Sequence, residues 1–371
     1  MKKLLFVVSF SLSLIVLHGC KLRINGKPPT LSAGIPVEKG LKDFYKDYFP
    51  IGVAVNARDL RSEESKLILQ QFNSLTAENS MKMGPIHPEE NRYDWKASDS
   101  IVNFAQEHGL KVRGHNLLWH TQAPRWLFRD TLTHATVTKD ILFQRLKDHI
   151  NTVVKHYKGK LYAWDVVNEV IADDSATYFR NSPWYQICNE EFVTKAFEYA
   201  HAADPNAILF YNDYNTENPL KRDKIYKMLK KMIDAKVPVH GVGLQAHWSV
   251  NNPTREELEK SIQLFSSLGL QIQFTELDVS VYSGRQGGQL IQGQAQKEAQ
   301  VFTPEMEQKQ LDKYKMIFEV FRKYKKDITG VTFWNISDKY TWLNGRGRKN
   351  FPLLFDQNLQ PKKAYWEVVN F

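Results

Sequence analysis

The 371-residue sequence has only two cysteines, Cys20 and Cys188, so no disulfide framework can hold the fold. No G-x-G-x-x-G follows the first strand-like segment, which removes the usual support for a dinucleotide-binding sheet. There is no H-E-x-x-H. His115 and His120 stand five apart without an acidic ligand pattern, and His247 does not complete one, so no metal and no cofactor is expected. Basic residues exceed acidic ones, 50 to 41, for a formal charge of +9. Yet no dense basic run with interleaved aromatics marks a nucleic-acid surface, and the excess reads as solubility. Internal repeats are absent. The apolar run Leu4–Leu17 is too short and poorly flanked to span a membrane.

What is present begins with that run. Lys2 and Lys3 precede it and Gly19-Cys20 follow, so residues 1–19 read as a secretory signal. The end, LHGC, resembles a bacterial lipobox. It implies lipidation of Cys20 and a place in the bacterial cell envelope at the outer membrane, with the lipid as the only membrane contact. Secretion with cleavage nearby is the alternative. Residues 20–40, rich in Gly and Pro, read as a tether, and 41–371 as one catalytic domain. A monomer is expected, with Cys188 as a small buried apolar residue.

Beyond the tether, β-rich runs alternate with amphipathic ones. The strands are expected at Ile51–Val55, Ser74–Glu78, Lys111–Leu118, Tyr162–Val167, Ile208–Asn212, Gly241–Gln245, Gln271–Glu276 and Gly330–Trp334. Helical patterns follow each one: Ser62–Phe72, Ser98–Glu107, Thr138–Lys155, Asn189–Ala203, Pro219–Asp234, Thr254–Leu268, Thr303–Tyr324 and Lys362–Asn370. Eight such units predict an α/β fold, a closed (β/α)₈ TIM barrel, with a doubly wound open sheet as the rival.

A barrel should gather its chemistry at the C-terminal ends of its strands. Those ends carry Glu78, Asn79 and Lys82; His115, Trp119 and His120; Asn168 and Glu169; Asn212 and Tyr214; Gln245 and His247; Glu276 and Asp278; Trp334 and, further on, Trp342. Trp126 is placed near them too. Glu169 and Glu276 each end an apolar strand, WDVV and IQFT. Facing carboxylates suit glycoside hydrolysis, one giving a proton to the leaving oxygen and the other ionised. Indoles can stack on sugar C–H faces, and amides with Lys82 can bind hydroxyls. Successive side chains of a regular strand point to opposite faces, so Asn168 and Glu169 can share one site only if the strand bulges or breaks there.

The motifs NSLTAENSMK, VRGHNLLWH, WDVVNE, YNDYN, GLQAHW, FTELDV and FW…DKYTWL…LLFD…PKKAYW, in this order, resemble the glycoside hydrolase family 10 endo-β-1,4-xylanases from about Leu41 to Phe371. The resemblance implies a retaining double displacement on xylan or xylo-oligosaccharides. Glu169 would be acid/base and Glu276 nucleophile, supported by Asn168 at the sugar 2-hydroxyl and His247 beside the nucleophile. It implies a glycone-side wall of Glu78, Asn79, Lys82, His115, Trp119, Gln245 and Trp334, with Trp342 as lid. His120 belongs to the substrate-binding set, and Asn212 and Tyr214 to the aglycone side. It also suggests a cis His115-Asn116 peptide.

Departures from the family pattern are Asn116 for threonine, Thr121 for serine, His240 for aspartate and Asn335 for glycine. Residues 283–300, rich in Gly and Gln, are expected to form a long loop that either borders the groove or is simply mobile. A β-1,4-glucanase or mixed specificity on the same barrel, and a non-catalytic glycan-binding lipoprotein, are the competing readings.

Overall fold

The computed structural model describes residues 39–282, 301–344 and 349–371, with the backbone of 285–286 and 289–290. The signal at 1–19, Cys20, the tether up to residue 38 and most of the 283–300 loop lie outside the described residues. Within that loop the described pieces Arg285–Gln286 and Gln289–Leu290 pair antiparallel.

Among the described residues, eight parallel strands form the barrel: β1 (Ile51–Val55), β2 (Ser74–Ala77), β3 (Lys111–Leu118), β4 (Ala163–Asn168), β5 (Ile208–Asp213), β6 (Gly241–Leu244), β7 (Gln271–Ser280) and β8 (Ile328–Phe333). Each pairs with the next in sequence, and β8 pairs with both β7 and β1. The sheet therefore closes, and the open doubly wound alternative falls. β7 runs past its expected end at Glu276 because a short strand, His247–Ser249, pairs with Asp278–Ser280.

The helices that follow the strands are α1 (Glu64–Gln71), α2 (Lys96–Glu107), α3 (Lys139–His156), α4 (Glu191–Ala203), α5 (Pro219–Asp234), α6 (Arg255–Ser266), α7 (Pro304–Lys323) and α8 (Lys363–Val369). Several start where a side chain can accept from a free backbone N–H. Thr138, Asn218, Thr254 and Thr303 cap α3, α5, α6 and α7, and Thr254 with Glu257 forms a full capping box. Packing then fixes these helices to the sheet. Phe318 and Phe321 of α7 are fully buried against Phe274 of β7 and Phe333 of β8, with Phe274 and Phe321 rings 4.1 Å apart. Burying each such ring contributes about 1.5–3 kcal/mol.

Inside the barrel, polarity appears early. Arg113 of β3 is 1% exposed and pairs through two nitrogens with the fully buried Asp165 of β4; its Nε donates to Gln273 of β7 at 3.0 Å. An isolated charge here would be untenable, so the pair and its hydrogen bonds come as a unit. Asp165 also accepts from His115 Nδ1 at 2.9 Å, tying this layer to the mouth above it.

Candidate active site

Three irregularities aim side chains into the mouth. The β3–β4 register slips between His115 and Leu118, and the His115-Asn116 peptide is cis. β4 bulges between Asp165 and Val167 against β5, and its ladder ends at Asn168. Glu169 then takes φ +59°, the left-handed region, while its N–H still donates to the Asn212 carbonyl. That break is what the sequence requires for both side chains to face one site. On the opposite wall, β7 carries one extra residue relative to β8 between Phe274 and Leu277, the stretch that holds Glu276.

The two carboxylates are bridged by buried amides. Glu169 Oε1 accepts from Gln245 Nε2 at 2.9 Å and Asn168 Nδ2 at 3.3 Å; its Oε2 accepts from Trp119 Nε1 at 2.9 Å. Glu276 Oε1 accepts from Asn212 Nδ2 at 2.8 Å, and the same amide donates to Asn168 Oδ1 at 2.9 Å. Gly243 makes room for that amide, because a Cβ there would stand 2.2 Å from Asn212 Oδ1. Asn212 is fully buried and Gln245 2% exposed, and each hydrogen-bonds one of the carboxylates directly.

His247 completes the Glu276 side. Its Nε2 lies 3.1 Å from Glu276 Oε2 and its Nδ1 2.8 Å from Asp278 Oδ2. Burial opposes a charged imidazole, but Asp278 and Glu276 outweigh it and lift the His247 pKa to about 9. Burial likewise pushes Glu276 upward. The His247 hydrogen bond and the electropositive surroundings of His115, His247 and Lys82 reverse this and hold the carboxyl at about 2. The Glu169 carboxyl instead takes its hydrogen bonds from the neutral donors Trp119, Gln245 and Asn168. Burial raises its pKa, the Asp213 charge raises it further, and the Gln245 and Trp119 hydrogen bonds offset only part.

Around this pair the structure brings together several of the residues expected on the glycone side. Lys82, 6% exposed rather than solvated, donates to Asn79 Oδ1 at 3.0 Å, with its ammonium 4.9 Å from the Trp119 ring and 5.9 Å from the Trp334 ring. Burial lowers its pKa against the pull of Glu276, Glu78 and Glu169. His115 packs edge-on to Trp334 at 5.3 Å. Trp334 is itself buried, whereas Trp342 is 37% exposed and leans over His247 at 4.6 Å, its Nε1 donating to Asp278. Trp126 does not join. It is buried beneath, its Nε1 on the His87 carbonyl and its ring against the His87 imidazole.

On the other side of Glu169 stands a charged cluster that the sequence reading missed. Arg180 donates to the Glu169 carbonyl at 3.1 Å and to Tyr214 Oη at 2.6 Å; Tyr214 donates to Asp173. Lys221 Nζ bridges Asp173 and Asp213 at 2.9 Å each, 3.4 Å from the Tyr214 ring centroid. His120 faces this cluster; burial and the charges of Arg180 and Lys221 lower its pKa to about 4. Lys221 lies in the first turn of an amphipathic helix and Arg180 in a polar loop, and each reads from sequence as a solvated charge. A separate depression of about 600 Å³ between α4 and α5, lined by Tyr178, Phe179, Tyr185 and Met228 among others, contains none of the residues above.

Comparison with known proteins identifies the family. The family model for glycosyl hydrolase family 10 matches residues 40–371. A β-1,4-xylanase of Dictyoglomus thermophilum is 49% identical over 334 residues, covering 89% of this chain and 90% of that one. An endo-1,4-β-xylanase of Geobacillus stearothermophilus is 45% identical, covering 89% and 98%. Among solved structures, a Paenibacillus barcinonensis xylanase complexed with a conduramine derivative superposes with a TM-score of 0.85 at 42% identity, over 91% of this chain and 99% of that one. The chain belongs to glycosyl hydrolase family 10 and is a glycoside hydrolase.

Proposed function

We propose that the protein is an endo-acting β-1,4-xylanase that works by retaining double displacement. The observation that carries this is the opposite poise of two carboxyls in one mouth. Glu276, held at about 2, is ionised at any working pH and attacks the anomeric carbon. Glu169, raised by burial and Asp213, keeps its proton for the bridging oxygen. After the aglycone leaves, Glu169 has become a carboxylate and takes a proton from water, which attacks the covalent glycosyl-enzyme; the product keeps the β configuration. Asn168 Nδ2 is beside both the acid and the amide bridge, where it meets the sugar 2-hydroxyl. The xylan reading draws on the xylanase names of the similar proteins and on the wall of Lys82, Trp334 and Trp342.

Proton NMR of the first-formed hydrolysis product tests the mechanism: the β anomer is expected, and initial α anomer rules it out. Rates on xylan and carboxymethyl-cellulose measured side by side test the substrate. Faster hydrolysis of the cellulose derivative would favour a β-1,4-glucanase. No hydrolysis of either would leave a glycan-binding protein.

We also propose that residues 1–19 are a signal, that Cys20 carries a lipid and that the catalytic domain stands at the cell envelope on a tether. Lys2, Lys3, the Leu4–Leu17 run and the LHGC sequence support this. Metabolic labelling with a radioactive fatty acid should mark the wild type and spare Cys20→Ala.

A further inference from the structure

β8 ends at Phe333, and the chain turns over the mouth through Trp334 and Asn335. Asn335 holds φ +91°, a conformation that glycine adopts freely and a side-chain-bearing residue adopts under strain. Such strain persists only where the surroundings hold it, and here the holding groups are visible. Asn335 is 6% exposed. Its Nδ2 donates to Glu78 Oε2 at 2.9 Å, and its Oδ1 accepts from the backbone N–H of Trp342 at 3.4 Å.

Both partners belong to the residues expected on the glycone side, and both meet the one Asn335 amide. Glu78 is half-buried at the end of β2 beside Lys82, and the same Oε2 also accepts from Asn56 Nδ2 at 2.5 Å. Trp342 is the exposed indole over His247, anchored at its ring nitrogen by Asp278. One amide thus links the carboxylate of the wall to the backbone of the lid. The ring end of Trp342 is fixed to the Glu276–His247–Asp278 group, and its backbone end is fixed to Asn335.

We infer that Asn335 is a specificity-determining residue that sets the gap between Glu78 and Trp342, and so decides whether the groove takes a pentose ring or one bearing a C6 hydroxymethyl group. It touches neither reacting carboxylate, so it acts by positioning. The inference rests on the proposed reading of this groove as a glycan site.

The test compares Asn335→Gly and Asn335→Asp with the wild type on aryl β-xylobioside and aryl β-cellobioside. Glycine removes both hydrogen bonds and suits the turn. Aspartate keeps an acceptor for the Trp342 N–H but puts a second carboxylate against Glu78. In both variants KM for the xylobioside should rise about 10-fold, the scale of losing a partner of a buried polar group, with kcat within about threefold of wild type. The xylobioside-to-cellobioside ratio of kcat/KM should fall at least about fivefold. Thermal melting reports the fold separately.

Unchanged KM and unchanged ratio in both folded variants would overturn the inference. So would a fall in kcat at constant KM, which would place Asn335 with the chemistry instead. Wild-type protein that cleaves neither glycoside defeats the glycan-hydrolase reading itself, an outcome visible before any variant is measured.

Discussion

Glu169 and Glu276 occupy the same mouth, each follows an apolar strand, and one chain of amides from Asn168, Asn212 and Gln245 touches both. They part company in what stands behind them. Beside Glu276 are His247, held cationic by Asp278, together with His115 and Lys82. Beside Glu169 the carboxyl's donors Trp119 and Gln245 are neutral, and Asp213 adds a negative charge. Burial pushes both carboxyls upward, and only on the first side is it outweighed. A drop from 4.5 to about 2 is worth roughly 3 kcal/mol of preference for the ionised form. The placement of a few charges therefore sets the two carboxyls apart, and depth of burial does not; this is the difference that the proposed acid and nucleophile require.

The comparison breaks most severely when a carboxylate is removed. Glu276→Ala should abolish hydrolysis of every substrate, by about four orders of magnitude, the scale of losing one member of a catalytic set. Glu169→Ala should differ in kind. Substrates with poor leaving groups should suffer a comparable loss, while an aryl glycoside with an acidic leaving group should form the glycosyl-enzyme nearly as before and stall there. Equal losses on both substrates in both variants would erase the distinction between the two carboxyls.

A milder change attacks the charge asymmetry itself. His247→Asn removes the hydrogen-bonded cation beside Glu276 and leaves only His115 and Lys82 to oppose burial, so the pKa should rise. The carboxylate must be ionised to attack, so the acid limb of the kcat/KM profile should move upward from about 2 by a unit or more. An unmoved acid limb would mean that His247 does not set the poise of Glu276.

The smallest effect should come from Trp119→Phe. The indole N–H at 2.9 Å favours ionised Glu169, so its loss should raise that pKa further and carry the alkaline limb a fraction of a unit upward. A shift to lower pH would contradict the assigned direction.

Much of this site was legible in the sequence because barrel strands are apolar until they reach the mouth. A carboxylate closing WDVV or IQFT stands out against such a run, and the alternation of sheet faces pointed to the break at Glu169. The groups that tune the site were harder to read. Arg113 and Asp165 are charges inside strands, a visible signal, but their pairing joins residues on different strands. Lys221 and Arg180 lie where solvated charge is the ordinary state, and only closure of the barrel brings them to Asp213 and Glu169. Asn335 was noticed as a departure from glycine; its φ and its bonds to Glu78 and Trp342 are properties of the fold alone.

The most direct measurement is a carbon-13 NMR titration of side-chain-labelled glutamates in the wild type, with Glu169→Gln and Glu276→Gln identifying the two resonances. The carboxyl lost in Glu276→Gln should remain ionised down to a pH of about 2, and the one lost in Glu169→Gln should stay protonated above the ordinary glutamate value of 4.5. Two resonances titrating together near 4.5, or in the reverse order, would contradict the division of roles between them.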